Sequence, residues 1–179
     1  MRRHEGRALV FITGGARSGK SRYAQELALK WSDEPVYVAT ARHWDPEFGE
    51  RIKRHQSDRD SRWTSIEEEK AIGRLPLTGR VAVIDCVTLW LTNFFVDHGN
   101  DIEVCLEAGK KEIDELCKLD ARLIVISNEI GMGMHAESEM GRRFTDMQGW
   151  MNQYIADKAG TVIFMVSGIP LTVKGRVDA

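Results

Sequence analysis

The residues with the clearest chemical meaning form one run, Gly14-Gly15-Ala16-Arg17-Ser18-Gly19-Lys20-Ser21. It matches the spacing G-x-x-x-x-G-K-[ST] in full. Glycines let the chain curl so that successive backbone N–H groups point at phosphate oxygens. A helix that starts at the end of the loop adds the positive end of its dipole. Lys20 then reaches the outer phosphates, and the Ser21 hydroxyl ligates Mg²⁺. The run is therefore expected to hold a nucleoside triphosphate, with Gly14 through Ser21 all lining it. An ordinary glycine turn is the competing reading. The flanking sequence argues against it, because an apolar run precedes the loop and a helical pattern follows.

A carboxylate and a histidine extend that chemistry. Asp85 closes the apolar run Val81-Ala82-Val83-Ile84. A strand there would end at the edge where doubly wound sheets bind ligands, which makes Asp85 a candidate metal-side carboxylate. The alternative is a cap for a helix starting near Cys86-Val87. His55 lies in Arg51-Ile52-Lys53-Arg54-His55-Gln56-Ser57-Asp58-Arg59. Neutral imidazole is a good nucleophile at phosphorus, and nearby guanidinium groups neutralise phosphate charge. On the residues alone, a surface histidine in a charged helix is the stronger reading. His4, His43, His98 and His135 offer less, and no His/Cys/Asp cluster has structural zinc spacing. Asn128-Glu129-Ile130-Gly131-Met132-Gly133-Met134 follows another apolar run, on the same expected rim as the glycine loop. A ligand-facing loop and a tight structural turn are equal alternatives for it, and its methionines read as packing.

These residues need a scaffold, and the pattern of apolar runs supplies one. Ala8 to Ile12 reads as a strand buried on both faces. Ser21 to Trp31 carries apolar residues at helical spacing, stopped by Asp33-Glu34-Pro35. Further strands are expected at Val36–Ala39, Val81–Asp85, Leu123–Ser127 and Thr161–Val166, with a short one after Pro170. Helices are expected over Val87–Val96, Ile102–Cys117 and Glu139–Ala159, although Gly141 and Gly149 argue against continuity in the last. Residues 41–70 stand apart as a charged helix-loop segment. Asp45-Pro46 reads as a helix start, Glu47–Arg54 as helix and Gln56–Arg62 as loop. A solvated surface explains such a segment, and so does a functional lid beside a phosphate loop. Strands separated by helices predict an α/β fold of the P-loop NTPase (RecA-like) type, three layers with a mostly parallel sheet and helices on both faces. No linker or repeat interrupts the chain, so residues 1–179 are expected to form a single nucleotide-binding domain.

Bulk properties narrow the class. The formal net charge is -2, with no basic, aromatic-rich stripe, which argues against a nucleic-acid partner. No apolar run reaches the roughly 18 residues of a membrane span. The three cysteines form no CxxC pair and read as reduced thiols. A cytoplasmic location is expected.

Together the motifs resemble the bifunctional adenosylcobinamide kinase / adenosylcobinamide-phosphate guanylyltransferase family of cobalamin biosynthesis. The resemblance runs from Phe11 to about Lys174. It rests on Thr13 through Ser21, on Tyr37-Val38-Ala39-Thr40, and on Arg51-Ile52-x-x-His55-x-x-x-Arg59-x-x-x-Trp63. Asp85-Cys86-Val87-Thr88 with Thr92-Asn93 continue it, as do Asn128 through Gly133. Gly141-Arg142-x-Phe144-x-Asp146-x-x-Gly149-x-x-Asn152-Gln153 and Val166-Ser167-Gly168 complete it.

The resemblance implies a specific activity. A nucleoside triphosphate such as ATP phosphorylates the aminopropanol hydroxyl of adenosylcobinamide. GTP then transfers GMP to adenosylcobinamide-phosphate through a GMP-histidine, releasing pyrophosphate. His55 matches the histidine position, which reverses the reading from residues alone, and Lys20 with Mg²⁺ stabilises developing charge. Two in-line displacements imply ping-pong behaviour in this half. The segment Ala39-Thr40-Ala41, the residues Gln56, Ser57, Asp58 and Arg59, then Glu67 and Asp85 match positions that hold guanine nucleotide. Ser21 and Asp85 are the expected metal ligands. The resemblance also implies a homo-oligomer, with a trimer as the expected form. This sequence departs from the family pattern in several places, among them a few extra residues at its N-terminus. It has Asp85 where many members have Glu, Met134-His135-Ala136-Glu137 where many have a Pro-containing segment, and Arg54 where some have a second histidine. A small-molecule kinase that never uses His55 covalently is the main rival reading, and a nucleic-acid-stimulated ATPase a more distant one.

Overall fold

The computed structural model describes residues 9–42 and 60–177. The chain places a seven-stranded sheet between helices. Its strands are β1 (Leu9–Gly14), β2 (Val36–Ala39), β3 (Thr64–Glu67), β4 (Val81–Asp85), β5 (Arg122–Ile126), β6 (Thr161–Val166) and β7 (Ile169–Lys174). The helices are α1 (Lys20–Trp31), α2 (Val87–Asp97), α3 (Ile102–Leu116) and α4 (Glu139–Lys158). The strand order is β3-β2-β4-β5-β1-β6-β7. All neighbours are parallel except β6 and β7, which are antiparallel. This is the expected three-layer α/β architecture.

The apolar runs are continuous because both faces of the sheet are covered. Alternate residues divide between two cores. Leu9, Phe11, Val38, Ile84, Leu123 and Val125 face α2, α3 and α4, where Trp90, Ile113 and Met151 pack. Val10, Ile12, Tyr37, Val83, Ile124 and Ile126 face α1, through Ala24, Leu27 and Ala28. Full burial of one large apolar side chain contributes about 1.5–3 kcal/mol, so these two cores fix the sheet and thereby its carboxyl edge.

The structure corrects several expectations. β3 falls within the segment read as charged helix and loop. It is a four-residue strand with mostly exposed residues, and Ile66 is its one aliphatic side chain, so it carries no sequence signal. Its position comes from pairing with β2, Val38 opposite Ile66. β7 is a full strand of six residues rather than a short tail. It folds back through Ser167-Gly168, both with positive φ (52° and 85°), as a two-residue hairpin of right-handed twist requires. Gly141 and Gly149 do not break α4. Ser138 caps that helix by accepting from the Gly141 N–H at 3.0 Å, and Gly149 sits where an added Cβ would touch nothing. Met132 and Met134, read as packing residues, are 73% and 97% exposed. The helix expected over Glu47–Arg54 and the loop expected from Gln56 lie outside the described residues as far as position 59.

Candidate active site

The parallel register lines up the ends of five strands. Ala39 pairs with both Glu67 and Asp85, Asp85 with Ile126, and Ile126 with Ile12. Each chain then leaves the sheet on the same rim. β1 feeds the glycine loop, β4 ends on Asp85, and β5, which lies between them, leads into Asn128-Glu129. The loop is joined to its neighbours through backbone. The N–H of Glu129 donates to the Gly14 carbonyl at 2.9 Å, and that of Gly168 donates to Ser18 at 2.9 Å.

The loop requires its glycines. Gly14 has φ +152°, and a Cβ there would lie 2.6 Å from the Met165 carbonyl oxygen. Gly19 has φ +92° and forms the N-terminus of α1. Arg17 also adopts a left-handed backbone, at φ 59°. Ser18 is buried, and its hydroxyl has no hydrogen-bond partner among the described residues. Lys20 is buried as well, and its ammonium donates to the carbonyls of Gly14 (3.0 Å) and Gly15 (2.7 Å). Burial pulls its pKa below the usual lysine value, while the Asp85 carboxylate pulls the other way. The lysine is thus held beneath the loop it would serve, bonded only to groups that a phosphate can replace.

Asp85 does not cap a helix. Cys86 occupies the N-cap of α2 and makes no side-chain cap. The Asp85 Oδ2 atom instead accepts from Ser21 Oγ at 2.8 Å and from the Tyr37 hydroxyl at 2.6 Å. Ser21 and Asp85 thus present two hard oxygen ligands side by side, the donor set that Mg²⁺ takes together with phosphate and water. Among the described residues no group of three or more His, Cys, Asp and Glu side chains could hold a metal alone. The Ser21–Asp85 donor set fits a metal shared with a phosphate.

Thr40, expected among the residues that hold guanine nucleotide, is held by contacts within the protein. It is fully buried, and its hydroxyl donates to the Cys86 carbonyl (2.8 Å) and accepts from the Cys86 N–H (2.9 Å). Its N–H donates to Asp85 and its carbonyl accepts from Asn93 Nδ2. Every polar group of Thr40 is spent on protein. Its visible work is to tie β2 to β4 and to set the backbone of Ala39 and Ala41, both half-buried at the rim. Glu67 is exposed at the end of β3, level with Ala39. His55, Gln56, Ser57, Asp58 and Arg59 lie outside the described residues.

The cobinamide kinase / cobinamide phosphate guanyltransferase family matches residues 10–173. The chain belongs to this family. It is 39% identical over 172 residues to the bifunctional adenosylcobalamin biosynthesis protein CobP of Pseudomonas aeruginosa, covering 92% of this chain and 96% of that one. It is 33% identical to the protein CobU of Escherichia coli, which bears the same bifunctional description, covering 93% and 99%. Among solved structures, the flagellar accessory protein FlaH from Methanocaldococcus jannaschii aligns over 94% of this chain and 78% of its own, at 15% identity and TM-score 0.46.

Within this family member, two parts of the rim were not legible as site residues. Tyr37 reads as a core strand position, and only the fold shows its hydroxyl on Asp85. The second part is a polar patch on α4 that supports the Asn128-Glu129 loop. Gln148 is buried; its Nε2 donates to the Thr88 hydroxyl (2.8 Å) and to the Asn128 carbonyl. Asn152 accepts from the Ser127 hydroxyl at 2.7 Å. Two amides on the buried face of a helix, one turn apart, are the signal that could have found it.

Proposed function

We propose that this rim is one nucleotide site serving two transfers. In the first, a nucleoside triphosphate such as ATP phosphorylates the aminopropanol hydroxyl of adenosylcobinamide. In the second, GTP gives GMP to adenosylcobinamide-phosphate and yields adenosyl-GDP-cobinamide and pyrophosphate. The observation that carries this reading is the pairing of Ser21 with Asp85 beside a buried Lys20, in a chain of this family.

The loop N–H groups and Lys20 bind the phosphates and stabilise the charge that develops as a phosphorus–oxygen bond breaks. Ser21 and Asp85 hold Mg²⁺, which when bound supplies Lewis-acid neutralisation of phosphate charge. His55 is the nucleophile of the guanylyl half. Its imidazole nitrogen bonds to the α-phosphorus of GTP, and the bond to pyrophosphate breaks. A phosphate oxygen of adenosylcobinamide-phosphate then bonds to the same phosphorus and displaces the histidine. Ala39, Ala41, Gln56 through Arg59, Glu67 and Asp85 line the guanine nucleotide, with Thr40 acting through the backbone it holds. The row formed by Ala39, Glu67 and Asp85 supports this placement.

Incubation with α-labelled GTP and Mg²⁺ tests the covalent step. The expected result is an acid-labile, base-stable label on the protein that is absent from His55→Ala and moves to added adenosylcobinamide-phosphate. Absence of label on the wild type leaves a kinase alone, and normal labelling of His55→Ala removes His55 as the nucleophile.

We further propose a homo-oligomer, a trimer being the expected form, located in the cytoplasm. Three free cysteines support the location. Ile169, Leu171 and Val173 support the assembly, since they stand exposed at 68%, 57% and 64% on alternate positions of the edge strand β7.

A further inference from the structure

Glu129 is the acidic residue of the rim that the reading above leaves without work. It follows β5, the strand between the phosphate-loop strand and the Asp85 strand. Its backbone N–H is fixed to the Gly14 carbonyl at 2.9 Å, so its position is tied to the first residue of the loop. Among the described residues only neutral groups hold its carboxylate: Oε2 takes long contacts of 3.5 Å from the Thr13 hydroxyl and from Asn152 Nδ2. Among the described residues nothing bonds Oε1 and no cation pairs with Glu129. A Cβ at Gly131 would begin 3.7 Å from Oε1, and glycine leaves that side open.

A carboxylate beside a triphosphate repels it, and among the described residues Glu129 has no cation of its own to offset that repulsion. Asp85 differs, because it is paired with Ser21 as the metal-side pair proposed above. A second negative group earns its position if it acts on the acceptor. We propose that Glu129 is the general base of the kinase reaction, accepting the proton of the substrate hydroxyl at Oε1. This rests on the kinase activity proposed above. The hydroxyl oxygen bonds to the γ-phosphorus, the γ-phosphorus–oxygen bond to the leaving nucleoside diphosphate breaks, and the hydroxyl proton passes to Glu129 and then to solvent. The guanylyl half has no such need, since its acceptors are an imidazole nitrogen and then a phosphate oxygen, neither of which sheds a hydroxyl proton. The polar patch on α4 supports the assignment, because Gln148 and Asn152 hold the backbone of Asn128 from which Glu129 extends.

The test is the ratio of two rates in Glu129→Gln, which keeps shape and amide hydrogen bonds but cannot take the proton. One rate is phosphorylation of adenosylcobinamide from ATP, and the other is labelling of the protein from α-labelled GTP. The kinase-to-labelling ratio should fall on the order of 100-fold, in kcat with KM for ATP little changed. Glu129→Asp should recover part of it. An unchanged ratio overturns the proposal, whether both rates survive or both fall together as they would from a displaced loop. If the wild type takes no label, the guanylyl reading fails by itself. Glu129 is then judged on kinase kcat against KM, and a rise in KM with kcat intact overturns its role.

Discussion

The molecule holds its carboxylates in two contrasting ways. On the phosphate rim, Asp85 is bonded by the hydroxyls of Ser21 and Tyr37, and Glu129 by a hydroxyl and an amide. Some distance along the same chain, at the exit of α2, Asp97 is gripped by cations. Arg42 meets it through two nitrogens at 2.8 and 2.9 Å, and Lys70 donates at 2.6 Å. Glu69 completes that cluster with a 2.6 Å bond from Arg42 Nε. There the guanidinium and then the ammonium hold the Asp97 carboxyl well below the usual carboxylate range, and the Arg42 guanidinium is raised in turn. Satisfied charges stabilise a fold and have little left to offer a ligand. Carboxylates held by hydroxyls and amides keep lone pairs to offer a metal or a substrate hydroxyl. The difference separates a brace from a site.

The largest effect should come from Lys20, the buried cation of the phosphate loop. Lys20→Met should lower both transfers on the order of 1,000-fold, because it removes preorganised charge from the transition state. Steady-state rates for each half check this, with circular dichroism to establish folding. Activity within about tenfold of wild type in either half would separate that half from the loop. A smaller effect is expected from Tyr37→Phe, which removes one of two neutral donors to Asp85 and keeps the ring against Trp63. A hydrogen bond to a charged group is worth about 1.5–3 kcal/mol. Roughly tenfold lower kcat, with a higher Mg²⁺ concentration for half-maximal rate, is expected, and no change in either would make Tyr37 a core residue alone. The smallest effect should come from the brace. Asp97→Asn should cost about 1 kcal/mol at neutral pH, as exposed pairs do, and leave kcat in place.

The brace also has a defined pH sign. The Asp97 pKa is lower in the folded chain than its usual 3.8, so its contribution is present above that value and fades as pH falls through the folded value. The melting difference between Asp97→Asn and the wild type should therefore shrink in acid. A constant difference from neutral to acid pH would show that the cation contacts are not what Asp97 contributes.

Legibility followed the range of the forces. The glycine loop was readable because its needs are local: positive φ at Gly19, close approach at Gly14, and a helix starting at Lys20. The buried strands were readable from uninterrupted apolar runs. β3 was not, because its place is decided by the open edge of β2 and not by its own polar residues. Thr40 could be placed beside the nucleotide by motif, yet burial has spent its hydroxyl on Cys86. Met132 and Met134 looked like packing residues, and their exposure depends on a loop path that composition does not encode.

The sequence by itself determined the chemistry on offer: a phosphate loop with Lys20 and Ser21, an acid at the end of an apolar run, a histidine among arginines, and a family in which these belong together. The tertiary structure decided which of those groups meet. Strand order inserts β5 between β1 and β4, which brings Glu129 to the loop. Parallel register sets Ala39, Glu67 and Asp85 in one row, with Tyr37 two residues back on Asp85. Motifs record what each short stretch can do. Contacts between residues 64 positions apart, as for Ser21 and Asp85, exist only because burying both faces of the sheet leaves its carboxyl edge as the place where those stretches converge.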